Sequence, residues 1–245
     1  MDLSVIIVTY NSARLIDPLL TALQDQLAGL AAEVLVIDNA SKDATVETVR
    51  TRHPWVRLIA SPENLGFAAG NNRAIAEARG RMLLLLNPDA VPDAGALAEG
   101  LKRMDAHPEV GLSGGQLRGA DGSPQPSARM FPTLRDELFT LSGLAAKYPH
   151  SRLFARLDRR WADPNQPAEV DWIPGAFVFI PRALFNSLGG FDERFFMYYE
   201  EVDLCRRIQQ AGRRVQYWPV LKAMHIGGES AKTVAKARVS RAGSQ

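Results

Sequence analysis

Apolar positions along the chain alternate between two periods. Val5-Ile6-Ile7-Val8, Val34-Leu35-Val36-Ile37 and Met82-Leu83-Leu84-Leu85-Leu86 are short unbroken runs, the form taken by strands buried on both faces of a sheet. Between the first two, Leu15, Ile16, Leu19, Leu20, Leu23 and Leu27 recur at helical spacing. A short helix over 43–52 and a strand over 56–60 extend the series to βαβαβ, which predicts a parallel sheet with right-handed crossovers. Each apolar run stops at a polar corner: Thr9-Tyr10-Asn11-Ser12, Asp38-Asn39-Ala40-Ser41 and Asn87-Pro88-Asp89. Pro88 has no amide proton and disfavours helix in the residue before it, so the ladder is predicted to end at Asn87. Asp89 then sits just beyond the carboxyl end of a central strand, the edge where open α/β sheets bind ligands. The same tripeptide is also ordinary turn chemistry, in which Asp89 would only cap the next helix.

The turn 62–73, rich in Gly and Asn, opens a helix running to about Ala78. Its unpaired amides could hold an anion, or its small residues could allow close helix-sheet packing. It carries neither GxGxxG nor the Walker pattern, so nothing supports a dinucleotide fold or a P-loop. A helix over 94–107 and a strand over 110–117 complete a first half. From 120 to 170 the chain carries Pro124, Pro126, Pro132, Pro149, Pro164 and Pro167 with Arg156, Arg159 and Arg160. That composition predicts loops with one or two short helices around 134–147, an insertion over one face of the sheet.

Order returns at Val170. A strand follows Gly175-Ala176, a helix opens at Pro181, and Gly189-Gly190 ends it. The run 191–204 is aromatic first and acidic second, with Glu200, Glu201 and Asp203 at the opening of a helix continuing to Ala211. Carboxylates favour that end, and Asp203 can pair with Arg207 one turn on. Glu200 and Glu201 point about a quarter-turn apart, so they cannot both serve one structural end and one is free for chemistry. A last short strand over 215–218 leads to His225, readable as a structural residue or a metal ligand. The segment 230–245 carries Lys232, Lys236, Arg238 and Arg241 without an acid, as a disordered tail or a basic helix on an anionic membrane would.

Composition narrows the class. At 245 residues, 46% hydrophobic and 23% charged, the chain is a soluble globular protein able to bury one substantial core. A net charge of +2, from 29 basic and 27 acidic residues, lacks the basic excess of a nucleic-acid binder, so no nucleic-acid partner is expected. The single Cys205 excludes an internal disulfide and a thiolate zinc cage. No apolar run approaches the ~20 residues needed to span a bilayer, and Met1-Asp2 leads into a strand without an export signal. The expected location is the cytoplasm, with peripheral contact at the inner face of the plasma membrane through the basic tail.

Seven stretches together resemble a family 2 glycosyltransferase of the GT-A fold, in particular its rhamnosyltransferase-like bacterial members. They are 4–11 (Ser-Val-Ile-Ile-Val-Thr-Tyr-Asn), 36–41 (Val-Ile-Asp-Asn-Ala-Ser), 63–67 (Glu-Asn-Leu-Gly-Phe), 85–89 (Leu-Leu-Asn-Pro-Asp), 189–193 (Gly-Gly-Phe-Asp-Glu), 199–204 (Tyr-Glu-Glu-Val-Asp-Leu) and His225. They occur in the family's order and span the chain from Leu3 to Gly228. The resemblance implies an α/β fold with a mostly parallel, Rossmann-like central sheet flanked by helices. It also implies a nucleotide-sugar half over 1–117, an insertion over 118–170, an acceptor and catalytic half over 171–229 and the tail.

The same resemblance implies roles. Thr9, Tyr10, Asn11, Asp38, Asn64, Asn71, Arg73 and Asn87 bind the donor. Asp89, closing the family's Asp-any-Asp signature, and His225 hold Mn²⁺ or Mg²⁺. Trp172, Gly175, Ala176 and Glu200 shape the acceptor site, and Glu201 is the base. The signature reads Asn87-Pro88-Asp89 and the family's Glu-Asp pair reads Glu200-Glu201, so one carboxylate is missing and another is longer. Chemistry agrees with these roles: a departing diphosphate concentrates negative charge that a hard cation neutralises, and an attacking hydroxyl needs a carboxylate to take its proton. The expected activity is inverting transfer from a nucleotide-diphosphate sugar, dTDP-rhamnose first and UDP-sugars next, to a glycan or lipid-linked saccharide. The alternative is a catalytically silent nucleotide-sugar or glycan-binding module. A nucleotidyltransferase would need a Gly-rich basic loop after the first strand, which Thr9-Tyr10-Asn11 does not provide.

Overall fold

A computed structural model describes residues 1–227. The basic tail proposed over 230–245 lies outside the described residues. The elements in chain order are β1 (Leu3–Thr9), α1 (Ala13–Gln26), β2 (Ala32–Asn39), α2 (Thr45–Arg52), β3 (Arg57–Ser61), α3 (Gly66–Ala76), β4 (Met82–Leu86), β5 (Ala90–Pro92), α4 (Ala96–Ala106) and β6 (Val110–Arg118). They continue with α5 (Leu134–Leu141), α6 (Leu144–Lys147), β7 (Ala168–Glu169), β8 (Phe177–Pro181), α7 (Arg182–Ser187), α8 (Glu200–Gln210) and β9 (Arg214–His225).

The strands form one sheet in the order β3-β2-β1-β4-β8-β6-β9-β5, with β7 beside β9. The β3-β2-β1-β4 half is parallel, as the βαβαβ pattern predicts. Beyond β4 the sheet is mixed: β8 runs antiparallel to both β4 and β6, whereas β9 runs parallel to β6. Successive residues of a strand point to opposite faces, and β4 shows both faces covered. Met82, Leu84 and Leu86 join a core with Ile16, Leu19 and Leu20 of α1 and Leu97 of α4. Leu83 and Leu85 join a second core with Ala74 and Ile75 of α3, Phe185 of α7 and Leu204 of α8. This two-sided burial is why the strand carries no polar alternation.

Strand directions bring several chain segments to one edge. β1, β2 and β4 end there. β8 is antiparallel to β4 and pairs Phe177 with Leu86, so Gly175-Ala176 lies beside Asn87, whose amide donates to the Ala176 carbonyl oxygen at 2.9 Å. β9 ends at the same edge, where His225 pairs with Ala90 of β5.

Three elements differ from the sequence expectation, one of them β7, a two-residue strand inside the segment expected to be loops and short helices. β5 is a three-residue strand immediately after Asp89, too short to announce itself by pattern. The last strand is not a short piece over 215–218 but twelve residues, Arg214–His225. Its register against β6 slips between Tyr217 and Lys222, around Pro219, which cannot donate to a ladder. Gly115 lies under that irregularity, and a Cβ there would sit 1.8 Å from the Leu221 carbonyl oxygen. The bulge re-aims the strand and delivers His225 to the edge.

Candidate active site

The edge encloses a cavity of about 240 Å³ whose wall includes Thr9, Tyr10, Asn64, Asn87, Asp89, Gly175, Ala176, Glu200, Glu201 and His225. Residues far apart in the sequence meet there because of the sheet directions just described.

Asp89 follows β4 and precedes β5, and its carbonyl oxygen accepts from the Ile226 amide at 3.1 Å. It is 3% exposed, and its Oδ1 has no hydrogen-bond partner among the described residues. His225 Nε2 lies 3.4 Å from that oxygen. On the other side of the imidazole, Nδ1 is 2.8 Å from Gln125 Oε1, while Gln125 Nε2 donates to the His225 carbonyl oxygen at 2.8 Å. The second bond fixes the amide orientation, so Oε1 faces the ring, and because Oε1 can only accept, Nδ1 carries the proton. Nε2, the other ring nitrogen, faces Asp89 Oδ1 and is the atom that could ligate a cation. Two ligands at about 2.1 Å from one cation and roughly 90–110° apart would be separated by about 3.0–3.5 Å, so the pair fits a divalent cation. No group of three His, Cys, Asp or Glu side chains able to hold a metal exists among the described residues, so a cation held by this pair would need further ligands from a bound substrate or water.

Glu200 and Glu201 open α8, held there by Tyr198 and Tyr199, both at φ +73°. Glu200 is 3% exposed, and the Oε2 atoms of both acids have no partner among the described residues. Burial pushes the Glu201 carboxyl up to about 7, with the neighbouring Glu200 charge adding to the effect and Arg129 opposing it. Glu200 is also raised, again by burial. Asp203 and Arg207, by contrast, form the expected pair at 2.7 Å, a structural use of the helix opening.

Five of the residues proposed from sequence stand outside the cavity wall. Asp38 is buried, and its carboxylate accepts from Thr9 Oγ1 (3.0 Å), Ser41 Oγ (2.5 Å) and the Ser41 amide (2.8 Å), stapling β1 to β2. Asn11 does similar work through its Oδ1, which accepts from the Lys42 amide at 2.8 Å. Asn71 Nδ2 donates back to the Phe67 carbonyl oxygen of its own helix, and Arg73 is on the exposed side of α3. Trp172 is 8% exposed, its indole N–H donates to the Met130 carbonyl oxygen at 2.9 Å, and the Arg129 guanidinium lies 5.0 Å from its ring centroid. It lines an adjoining hollow of about 520 Å³ that shares Pro174, Tyr198, Glu201 and His225 with the first.

Three further residues matter that sequence reasoning passes over. Asn39, beside Asp38, lines the cavity, donates from Nδ2 to the Gly66 carbonyl oxygen at 2.8 Å, and leaves a buried Oδ1 unpaired. In the sequence the adjacent acid is the stronger signal. Asn72 grips the Gly189–Glu193 turn: its Oδ1 accepts from the Phe191 amide and its Nδ2 donates to the Phe191 carbonyl oxygen, each at 2.9 Å. Gln125 sits in the proline-rich insertion, whose composition gives no signal of a role near His225. The 62–73 turn also resolves toward packing. The Gly66 amide donates to Asn64 Oδ1 and the Phe67 amide to the Phe196 carbonyl oxygen, both at 2.9 Å, so these opening amides of α3 are already paired.

The sequence model described as "Glycosyl transferase family 2" matches residues 4–164. An N-acetylglucosaminyl-diphospho-decaprenol L-rhamnosyltransferase of Mycobacterium tuberculosis is 32% identical over 240 residues, covering 91% of this chain and 75% of that protein. Rhamnosyltransferase WbbL of Escherichia coli is 29% identical over 170 residues, covering 65% of this chain and 60% of that protein. Among solved structures, a Pyrobaculum calidifontis mannosyltransferase in complex with GDP-Man and Mn²⁺ superposes with a TM-score of 0.65 at 24% identity. The match covers 91% of this chain and spans 56% of the mannosyltransferase, a likeness of fold.

Proposed function

Because the chain belongs to glycosyl transferase family 2, we propose that it moves a sugar, rhamnose from dTDP-rhamnose, to a hydroxyl of a saccharide carried on a polyprenyl diphosphate, with inversion at the anomeric carbon. The observation that carries this reading is the meeting in one cavity of Asp89 Oδ1, unpaired beside His225 Nε2, with the Glu201 carboxyl. The choice of sugar and acceptor follows the M. tuberculosis relative, whose name gives a rhamnosyl transfer to a diphospho-decaprenol saccharide. A place in polysaccharide or cell-wall assembly goes with that chemistry.

Asp89 and His225 are the residues that would hold Mn²⁺ or Mg²⁺, and the cation would neutralise charge on the departing diphosphate. Asn39 Oδ1, buried and unpaired, accepts an N–H of the nucleobase, while Thr9, Tyr10, Asn64 and Asn87 complete the donor wall. Asp38 and Asn11 act through the loops they staple. The acceptor enters by the hollow bordered by Trp172, past Gly175 and Ala176, and Glu200 sits beside the reacting carboxyl. Glu201 takes the proton of the acceptor hydroxyl as its oxygen bonds to the anomeric carbon and the bond from that carbon to the diphosphate oxygen breaks. A carboxyl raised to about 7 is matched to this task near neutral pH, since it is basic enough to accept the proton and still ionised in good part.

The test is nucleoside diphosphate release from a panel of dTDP-, UDP- and GDP-sugars with Mn²⁺ or Mg²⁺, with and without a polyprenyl-diphosphate saccharide. Acceptor-dependent release, greatest with dTDP-rhamnose, is expected. Binding without release for every donor would instead identify a silent binding module.

A further inference from the structure

α5 is displayed in a way that core packing does not explain. Leu134, Leu138 and Leu141 are 87%, 64% and 84% exposed. At about 100° per residue they fall within an arc of roughly 60°, so the helix shows solvent a continuous leucine stripe. Disorder does not account for this, because the helix is firmly built. Thr133 and Asp136 form a reciprocal capping box, and the buried Asp136 carboxylate accepts from the Arg156 guanidinium at 2.8 Å. Phe139, on the inner side, packs edge-on against Phe154 with ring centroids 4.8 Å apart. Tyr148 and Leu153 add exposed apolar surface from the same insertion.

The same insertion carries exposed cations, Arg135 on α5 itself and Lys147 and Arg152 in the segment after it. Arg135, Lys147 and Arg152 are exposed and form no ion pair among the described residues, whereas the acids Asp136 and Asp158 are already paired with Arg156 and with Arg129 and Arg160. The other acid of α5, Glu137, lines the hollow that leads to Glu201. Lys147 lies over the Tyr148 ring and Arg152 over the Trp161 ring, contacts that leave their charges uncompensated. An apolar helix face in a segment with uncompensated basic side chains matches the boundary of an anionic bilayer, where leucines enter the acyl region and the cations meet lipid phosphates.

We propose that α5 is a membrane-docking helix that seats its leucine face in an anionic lipid surface, with the mouth of the acceptor hollow at that surface. A saccharide on a lipid diphosphate would then reach Glu201 without leaving the bilayer. That link to the acceptor rests on the function proposed above. Vesicle binding is measured with neither donor nor acceptor present, so failure of either idea leaves the other to be judged alone.

The experiment is co-sedimentation of the full chain with vesicles of phosphatidylcholine alone and of phosphatidylcholine with phosphatidylglycerol. The wild-type chain should bind the anionic vesicles and release as salt rises. The variant Leu134→Ser/Leu138→Ser/Leu141→Ser should need at least about tenfold more lipid for half-binding, with its melting temperature unchanged because these side chains touch solvent. Arg135→Gln/Lys147→Gln/Arg152→Gln should lose the preference for anionic lipid. Wild-type-like binding by the leucine variant would overturn the proposal. So would a dimer in light scattering that the leucine variant converts to a monomer, since a second copy would then cover the face.

Discussion

Gln125 holds His225 from two directions, donating from Nε2 to its carbonyl oxygen and facing its Nδ1 with Oε1, each at 2.8 Å. The amide thereby sets both the ring orientation and the tautomer, although Gln125 comes from an insertion one hundred residues earlier in the chain. Groups that orient a ligating imidazole typically matter to metal affinity by about 10–100-fold.

Gln125→Leu is therefore expected to weaken Mn²⁺ affinity, measured calorimetrically with nucleoside diphosphate present, by about tenfold or more. Asp89→Ala should abolish that binding. An unchanged titration for Asp89→Ala would remove the residue from the metal site, and one for Gln125→Leu would reduce the amide to a loop contact.

Gly66 stands at φ +80° with the Phe196 carbonyl oxygen 2.3 Å from where a Cβ would be. Gly66→Ala should cost about 1–3 kcal/mol from the left-handed conformation and the forced shift of the 196–199 segment. For a chain of this size that lowers Tm by roughly 2–4 °C per kcal/mol. Transfer should fall along with it, because the same segment leads into Glu200 and Glu201. A Tm equal to wild type would show that the Phe196 carbonyl yields without cost.

Asn39→Leu removes the unpaired acceptor and the bond to the Gly66 carbonyl oxygen. Nucleotide affinity should drop about tenfold, the scale of one buried hydrogen bond. If equilibrium binding of dTDP is unaltered, Asn39 does not meet the base.

Much of this organisation was legible in the sequence. The unbroken apolar runs reported strands covered on both faces, and the polar corners after β1, β2 and β4 reported the edge at which the cavity opens, because parallel strands place their carboxyl ends together. Partners set by tertiary contact were not legible. Gln125 meets His225 only because β9 bulges at Pro219 and extends to residue 225, and a local pattern cannot show a strand that resumes after a proline. Asp38 and Asn39 are adjacent, and in the sequence the acid is the stronger signal. Only the loop geometry decides that the acid is consumed by Thr9 and Ser41 while the amide keeps a free oxygen.

Glu201 makes a pH-dependent claim on stability. Its folded pKa, about 7, lies above the ordinary carboxyl value, so the folded chain holds a proton that the unfolded chain has lost. Stability is fully present below about pH 4.5 and is lost as pH rises toward and through 7. Glu201→Gln has no charge to bury, so at about pH 8 it should be the more stable protein by about 1–3 kcal/mol and at about pH 4.5 nearly equal to wild type. Parallel melting curves at both pH values would contradict the raised carboxyl.

The most direct test of the account compares the wild-type chain with Glu201→Gln in dTDP-rhamnose affinity and in single-turnover transfer to a polyprenyl-diphosphate saccharide. The account expects donor affinity within about twofold, transfer reduced by at least about 10²-fold, and a wild-type rate that climbs with pH through about 7. Transfer by Glu201→Gln at the wild-type rate, or a pH profile shared by both proteins, would contradict it.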